Sequence, residues 1–221
     1  MKALLENDFP AHYGIGRKRQ CVEIQTADET FDLMEQPDDF IVSYRTGAAS
    51  FSNIEQNLLS VINYEQYLNK FDGTPMSDGK RRCDFIVSSV DNDLLLLFCE
   101  MTSSYEGVEN LSLPIKDHDG NIVFPRGKYE KAEVQLFQTL DNILAVPTIA
   151  TYAAGKQKRI CLMSYVITHG AEHSAVEAFG RPRMSEAMEA GEDGAEVPCP
   201  SIEAFDFRYF RISHDYTFRL S

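Results

Sequence analysis

The stretch that decides the fold is Cys83-Asp-Phe-Ile-Val-Ser-Ser-Val90, then Asp91-Asn-Asp93, then Leu94-Leu-Leu-Leu-Phe-Cys-Glu-Met-Thr102. β-Branched and aromatic residues on both sides of a short polar segment predict two antiparallel strands joined by a turn. The second run shows no apolar/polar alternation, which is typical of a strand that is buried on both faces. The sequence therefore predicts a β-hairpin whose second strand is central in a sheet.

The register of this hairpin decides which of its side chains share a face. If the turn consists of the three residues 91–93, the pairing is symmetric about Asn92. Asp84 then lies opposite Glu100, with Cβ atoms about 5 Å apart, and Thr102 points to the same side because side chains alternate along a strand. A two-residue turn would shift the pairing by one position and send the two carboxylates to opposite faces.

The first register creates a pair of carboxylates that needs a partner. Two carboxylates this close repel each other, so one of them keeps its proton unless a cation lies between them. A hard divalent cation such as Mg²⁺ or Mn²⁺, which binds oxygen ligands and retains water, meets this need. Such an ion can polarise a phosphoryl oxygen and lower the pKa of a bound water molecule. The alternative is that both acids are solvated at the outer end of the hairpin and bind no ion.

The sequence around the hairpin predicts one mixed α/β domain over residues 1–221, with a mixed central β-sheet flanked by helices. Helical spacing predicts one helix capped by Ser52, with Glu55 in capping-box position, that continues to Leu68. A second helix is predicted over residues 128–145. Further predicted elements are strands at 20–26, 39–46, 159–167 and 205–220 (with a bulge or tight turn near His214), a hairpin at 115–124 over the Asp119-Gly120 turn, and a surface excursion at 171–204.

This order of residues resembles the core of the PD-(D/E)xK nuclease superfamily, which has the restriction-endonuclease-like fold. The shared features are Asp84 at the start of one strand, Glu100 at the end of the next apolar strand, and the helix that follows. The resemblance covers roughly residues 50–168. It implies a metal-dependent phosphodiester hydrolase acting on DNA or RNA, in which Asp84 and Glu100 bind Mg²⁺ or Mn²⁺. A glutamate from an earlier helix often assists in that family, and Glu55 or Glu65 would take this place, with Glu55 assigned as the third ligand.

The chain departs from the family pattern at the position of the lysine that orients or activates the attacking water. This position is Thr102, which carries no charge but whose hydroxyl can position a water molecule. The family tolerates a lysine that has moved to the following helix. Lys128, Lys131 and Gln135 lie along one line of that helix, so Lys131, or with less support Lys128, would supply the cation beside Gln135. The same spacing also fits ordinary rim residues of an amphipathic helix.

The charge of the chain bears on its partners. The chain has 34 acidic and 21 basic residues and a net charge of −13, which argues against a generally basic nucleic-acid binder because such affinity comes from phosphate neutralisation. Residues 171–206 alone contain nine acidic residues and two arginines. The acidity and the missing lysine favour an alternative function, a catalytically inactive nuclease-like scaffold that binds another protein. Nucleic acid and protein partners both stay open, and no oligomeric state is predicted.

Cysteine content and hydropathy indicate the compartment. The five cysteines are odd in number and contain no CxxC pair, which predicts reduced thiols in a cytoplasmic protein. The spacing of histidine and cysteine does not predict a zinc site. The first ten residues do not resemble a signal peptide, and the longest apolar run, Leu94–Cys99, is far shorter than the about 20 residues of a transmembrane helix. We therefore expect no membrane partner.

Overall fold

The computed structural model describes residues 1–16, 19–71, 82–104, 115–116, 122–123, 127–167, 195–214 and 216–220. Its helices are α1 (Lys2–His12), α2 (Tyr64–Asn69), α3 (Gly127–Leu144), α4 (Pro147–Ala154) and α5 (Pro200–Glu203). Its strands are β1 (Glu23–Thr26), β2 (Thr30–Leu33), β3 (Ile41–Val42), β4 (Ala49–Ser52), β5 (Leu59–Asn63), β6 (Phe85–Ser89), β7 (Leu95–Ser104), β8 (Ile115–Lys116), β9 (Ile122–Val123), β10 (Lys158–Ile167), β11 (Ala195–Glu196), β12 (Arg208–Ser213) and β13 (Thr217–Arg219).

The strands form a large sheet, a smaller sheet and a short hairpin. The large sheet has the order β1-β5-β6-β7-β10-β12-β11, the small one has the order β13-β4-β2-β3, and β8 pairs with β9. In the large sheet β7, β10 and β12 are parallel, whereas β1, β5 and β6 pair antiparallel. The predicted mixed α/β class with a mixed central sheet is confirmed.

The β6–β7 hairpin adopts the register that the three-residue turn predicts. Phe85 lies opposite Cys99, so the pairing is symmetric about Asn92. β7 lies between β6 and β10, and its residues 95–99 are completely buried. The uninterrupted apolar run of this strand is explained by its central position, because both of its faces contact protein.

Two apolar cores cover the two faces of the large sheet. On one face α3 packs through Leu136 and Leu140 against Phe98 of β7, and α1 and α4 complete this helical layer. On the other face the small sheet packs through Phe31 and Phe51. α3 and α4 both lie in the connection between the parallel strands β7 and β10.

The helix predicted from Ser52 to Leu68 is wrong over its first part. Ser52 ends β4, and residues 59–63 form β5, a strand between β1 and β6 in which every residue is buried. Helix α2 begins only at Tyr64, where the side chain of Asn63 accepts a hydrogen bond from the main chain of Gln66 at 2.9 Å. Val61 and Ile62, two of the apolar residues that suggested helical spacing, lie in this strand, whose burial on both faces requires no alternation.

The C-terminal segment 205–220 alternates apolar and polar residues, but this alternation slips at Tyr209–Phe210, where two aromatic residues are adjacent. β12 is buried on both faces, since Tyr209 contributes to the helical core and Phe210 to the other core. This two-sided burial, rather than a bulge, causes the slip in the apolar alternation. The tight turn predicted near His214 is confirmed, because β12 ends at Ser213 and β13 starts in the other sheet at Thr217.

Other predicted elements are confirmed in whole or in part. α3 and β10 match the predicted helix at 128–145 and strand at 159–167, and β8 and β9 form the predicted small hairpin. The strand predicted at 39–46 is reduced to β3. The Asp119-Gly120 turn, and the excursion as far as residue 194, lie outside the described residues. All five cysteines are buried free thiols, and no helix within the described ranges is long and apolar enough to span a membrane.

Candidate functional site

The predicted carboxylate pair lies where β6 and β7 meet beneath α3. Asp84 directly precedes β6, and its main-chain N–H donates to the carbonyl of Cys99 at 3.0 Å. The main-chain N–H of Met101, the residue after Glu100, donates to Oδ2 of Asp84 at 2.6 Å. The hairpin register therefore brings Asp84 and Glu100 together on one face, as the sequence predicts.

Both carboxyl groups are buried and hold their protons more tightly than exposed acids do. Asp84 is 7% and Glu100 is 4% exposed. Burial raises the pKa of Asp84 to about 8, although the hydrogen bond from Met101 opposes this rise. Burial and the neighbouring Asp84 raise the pKa of Glu100 to about 10. Oε2 of Glu100 has no hydrogen-bond partner in the described part of the chain, which leaves a buried polar atom that a ligand could satisfy.

Two further acids approach the pair from one side. Glu65 lies in the first turn of α2 and Glu35 follows β2. The negative charges of both residues contribute to the raised pKa values of Asp84 and Glu100. Partial burial and the charge of Glu65 also raise the pKa of Glu35. These acids and Asp84 line a cavity of about 230 Å³. The side-chain amides that share this lining are Gln36, Asn63, Gln66 and Asn69.

Glu55, which the sequence assigned as third metal ligand, lies elsewhere. Its side chain is exposed and contacts Nδ2 of Asn57 at 3.5 Å. Asn57 in turn accepts a hydrogen bond from Asn92 at 2.8 Å, in the turn between β6 and β7. This turn is the end of the hairpin opposite Asp84, so Glu55 does not join the pair. The assignment failed because the predicted helix begins only at Tyr64, which brings the alternative residue Glu65 to the pair instead.

Lys131 of α3 is the cation that the structure brings towards the pair. Its side chain is exposed, and its positive charge lowers the pKa of both Asp84 and Glu100. It therefore lies within electrostatic reach of both carboxyl groups. The side chain of Lys128, the second candidate, lies outside the described residues. Thr102 is half-buried at the predicted lysine position, opposite Tyr165 of β10.

Gln135 holds the chain directly before the pair. Its Nε2 donates to the carbonyl of Arg82 at 3.0 Å, while its Oε1 is buried and has no partner among the described residues. One helical turn further on, Oγ1 of Thr139 accepts a hydrogen bond from the main-chain N–H of Cys83 at 2.8 Å. α3 thus fixes two consecutive residues before Asp84. The described contact of Gln135 is therefore a structural one, with the chain two residues before Asp84.

The donor set suits a hard cation with few protein ligands. Within the described ranges, no group of three or more His, Cys, Asp and Glu side chains could hold a metal ion. A zinc site would need four such ligands, or three with a water molecule. Mg²⁺ is commonly bound through one or two carboxylates and several waters. The unpartnered oxygen of Glu100 and the neighbouring carboxyl of Asp84 fit that requirement.

Sequence reasoning missed Glu35 at this site. Nothing in the sequence marks it, because it lies in a loop whose position depends on the small sheet. It joins the cavity only through the packing of that sheet on the large one.

Comparison with known proteins identifies no relative of this chain. No protein-family model matches the chain, and neither a curated protein nor a solved structure matches it. Its class is therefore defined by its own fold and site. It is a mixed α/β protein with a buried pair of carboxyl groups beneath a helix.

Proposed function

We propose that this chain is a metal-dependent phosphodiester hydrolase of the PD-(D/E)xK type, with a restriction-endonuclease-like core, that acts on DNA or RNA. The observation that carries the proposal is the buried pair formed by Asp84 and Glu100, in which one oxygen of Glu100 lacks a partner among the described residues. Two buried acids cost free energy when they ionise together, unless a cation compensates their charge.

The order of the elements supports this proposal. Asp84 precedes β6, Glu100 lies in β7, and α3 follows as the crossover to the parallel strand β10. This is the order of features on which the resemblance to the nuclease superfamily is based. The carboxyl ends of parallel strands are also a common place for ligands in α/β proteins.

Each residue of the site has a distinct part in the proposed reaction. Asp84 and Glu100 would hold Mg²⁺ or Mn²⁺, which when bound polarises a phosphoryl oxygen and lowers the pKa of a bound water. The Met101 N–H occupies Oδ2 of Asp84 and so orients this carboxylate. The ammonium of Lys131 stabilises negative charge that develops on the phosphate. The hydroxyl of Thr102, two residues after Glu100 in β7, would position a water molecule.

The distribution of charge defines the side from which substrate approaches. Glu35 and Glu65 flank the cavity next to Asp84 and repel a phosphate there. Lys131 of α3 is the cation whose charge reaches both carboxyl groups. A phosphodiester therefore approaches from the side of α3, and the acidic cavity receives a cation or a neutral part of the substrate.

Calorimetric titration of Mn²⁺ tests the metal site directly. We expect the wild type to bind Mn²⁺ and the isosteric variants Asp84→Asn and Glu100→Gln to lose binding. Glu55→Gln is the matched control, because Glu55 is an acid at the opposite end of the hairpin. Labelled single- and double-stranded DNA and RNA are then incubated with Mn²⁺ to detect cleavage. Equal and negligible heats in the wild type and the pair variants would exclude the metal site.

The alternative, an inactive nuclease-like scaffold that binds a protein, has two observations in its favour. Thr102 stands in the position of the usual lysine, and Lys131 is an exposed residue on a neighbouring helix. If Mn²⁺ does not bind, Asp84 and Glu100 form a protonated structural pair, and the scaffold function is the one to pursue.

A further inference from the structure

Arg211 of β12 is a charged residue that the proposed reaction does not use. It pairs with Met163 of β10, which pairs in turn with Glu100 of β7, so Arg211 lies in the same row of the sheet two strands from Glu100. Its side chain is only 11% exposed and forms an ion pair with Glu133 of α3. Its Nε donates to the hydroxyl of Tyr209 at 3.2 Å.

Two residues of α3 hold the guanidinium of Arg211. The guanidinium carbon lies 4.4 Å from the ring centre of Tyr129. Tyr129 and Glu133 are four residues apart, so they lie one above the other on the same face of the helix. The ring and the carboxylate therefore contact one cation together, and a nearly buried ion pair with an aromatic contact constrains geometry more than an exposed one does.

The opposite side of α3 is fixed to β6. Gln135 donates to the carbonyl of Arg82, and Thr139 accepts from the N–H of Cys83. With Glu133 bound to β12 and these two residues bound to the start of β6, rotation of α3 about its axis is restricted from both sides. The carboxyl pair lies beneath the helix, between the two sets of contacts.

The rotation of α3 determines where Lys131 lies. Lys131 is two residues from Glu133, which corresponds to about 200° around a helix with 3.6 residues per turn. A rotation that releases Glu133 from β12 therefore moves Lys131 relative to the sheet. A displacement of about 1 Å in a positioned group can cost about 100-fold in rate.

We propose that Arg211 is a positioning residue, which holds Tyr129 and Glu133 and thereby keeps Lys131 beside Asp84 and Glu100. The inference rests on the proposed function, because Lys131 is the cation assigned there. The contacts that hold Arg211 are with Glu133, Tyr129 and Tyr209, so its proposed effect on Lys131 passes through the orientation of α3.

The test measures the position of Lys131 relative to bound Mn²⁺. Lysine amines are dimethylated with ¹³C, and the NMR signal of Lys131 is assigned by its loss in Lys131→Arg. Paramagnetic Mn²⁺ broadens signals of nearby nuclei steeply with decreasing distance. The signal is recorded with and without Mn²⁺ in the wild type, Arg211→Ala, Arg211→Lys and the charge-reversed pair Arg211→Glu with Glu133→Arg. Calorimetry gives the fraction of each protein that is loaded with Mn²⁺.

Arg208→Ala is the matched control. Arg208 also lies in β12 and forms an ion pair, but with Glu196 of β11 at 2.5 Å and with an exposed side chain. Thermal unfolding of each variant confirms that the protein is folded. If Arg211→Ala is too unstable, Arg211→Lys and the charge-reversed pair still provide the comparison.

We expect Mn²⁺ to broaden the Lys131 signal strongly in the wild type and in Arg208→Ala. The broadening should fall several-fold in Arg211→Ala at equal Mn²⁺ loading, and the charge-reversed pair should recover part of it. A purely stabilising role would lower the unfolding temperature and leave the broadening unchanged. Equal broadening in the wild type and Arg211→Ala would overturn the positioning role and leave the metal site intact. Absence of Mn²⁺ binding in the wild type would overturn the proposed function, and the positioning role with it.

Discussion

Asp84 and Glu100 lie next to each other across the β6–β7 hairpin, and Asp84 accepts a hydrogen bond from the residue that follows Glu100 at 2.6 Å. The pKa of each group is raised mainly by burial, to about 8 for Asp84 and about 10 for Glu100. Both carboxyl groups are therefore protonated at neutral pH, and a divalent cation that binds them displaces their protons.

The first prediction concerns stability in the absence of metal. The folded-state pKa of each carboxyl group lies above its ordinary value of 3.8 for Asp84 and 4.5 for Glu100. The folded state therefore binds protons that the unfolded state has released. The stability that these groups contribute is complete below about pH 4 and is lost as the pH rises through about 8 and then about 10, with a slope of up to about 1.4 kcal/mol per pH unit for each group.

The isosteric variants provide the measurement for this first prediction. In EDTA, urea unfolding at pH 5, 7 and 9 should show that Glu100→Gln gains stability over the wild type as the pH rises. Glu55→Gln, an exposed acid at the other end of the hairpin, should follow the wild type. A constant difference between Glu100→Gln and the wild type at all three pH values would contradict the raised pKa of Glu100.

The second prediction concerns stabilisation by metal. Mn²⁺ binds the folded protein and not the unfolded chain, so a concentration of 100 times its Kd should stabilise the wild type by about 2.7 kcal/mol. Because the cation displaces protons from Asp84 and Glu100, its apparent affinity should increase from pH 6 to pH 9. Thermal unfolding with and without Mn²⁺ measures both effects. Asp84→Asn should show no shift, and a shift that persists in this variant would place the ion elsewhere.

The third prediction concerns the cation of the site. Replacement of a positioned catalytic group commonly reduces the rate by about 10²–10⁴-fold, and we expect Lys131→Met to reduce kcat for Mn²⁺-dependent cleavage within this range. Mn²⁺ should still bind, because Lys131 is not a ligand. Glu130→Gln, at the half-buried residue directly before Lys131, is the control and should leave kcat unchanged. Unchanged kcat in Lys131→Met would remove this lysine from the reaction.

The fourth prediction tests the position at which the chain departs from the family pattern. Thr102 lies two residues after Glu100 in β7, on the same face, and is half-buried. A lysine at this position would reach the same region as Lys131. We therefore expect Thr102→Lys to restore part of the kcat lost in Lys131→Met, whereas Thr102→Met should restore none. Cleavage assays compare Lys131→Met alone with the double variants that carry Thr102→Lys or Thr102→Met in addition to Lys131→Met.

The fifth prediction concerns the attachment of α3 to the chain before Asp84. Thr139→Val removes the hydroxyl that accepts from the N–H of Cys83 at 2.8 Å and leaves a buried donor without a partner, which costs about 1–3 kcal/mol. Thr139→Ser keeps the hydroxyl, so its free energy of unfolding should fall much less. Urea unfolding compares the two variants. An equal loss in both would assign the effect to packing of the methyl group instead of the hydrogen bond.

The helix predicted from Ser52 shows where a local sequence pattern does not determine the secondary structure. Leu58, Val61, Ile62 and Leu68 carry apolar side chains at spacings that fit one face of a helix. Val61 and Ile62 fit a strand that is buried on both faces equally well, and only the presence of β1 and β6 on the two sides of β5 decides between helix and strand. Because of this error, Glu55 was assigned as the third metal ligand. Glu55 lies at the end of the hairpin opposite Asp84, whereas Glu65 lines the cavity together with Asp84.

The sequence by itself determined the β6–β7 hairpin and the amphipathic helix α3 that follows, and it left two registers open, of which the structure has the one symmetric about Asn92. These features depend on contacts between residues close in the chain, namely a short polar turn, an apolar strand and a helical stripe, and these contacts specify local geometry. The tertiary structure alone decided that Glu35 and Glu65 join the pair and that Arg211 binds α3. These residues come from β12, α2 and a loop of the small sheet, and only the packing of both layers against the large sheet brings them together.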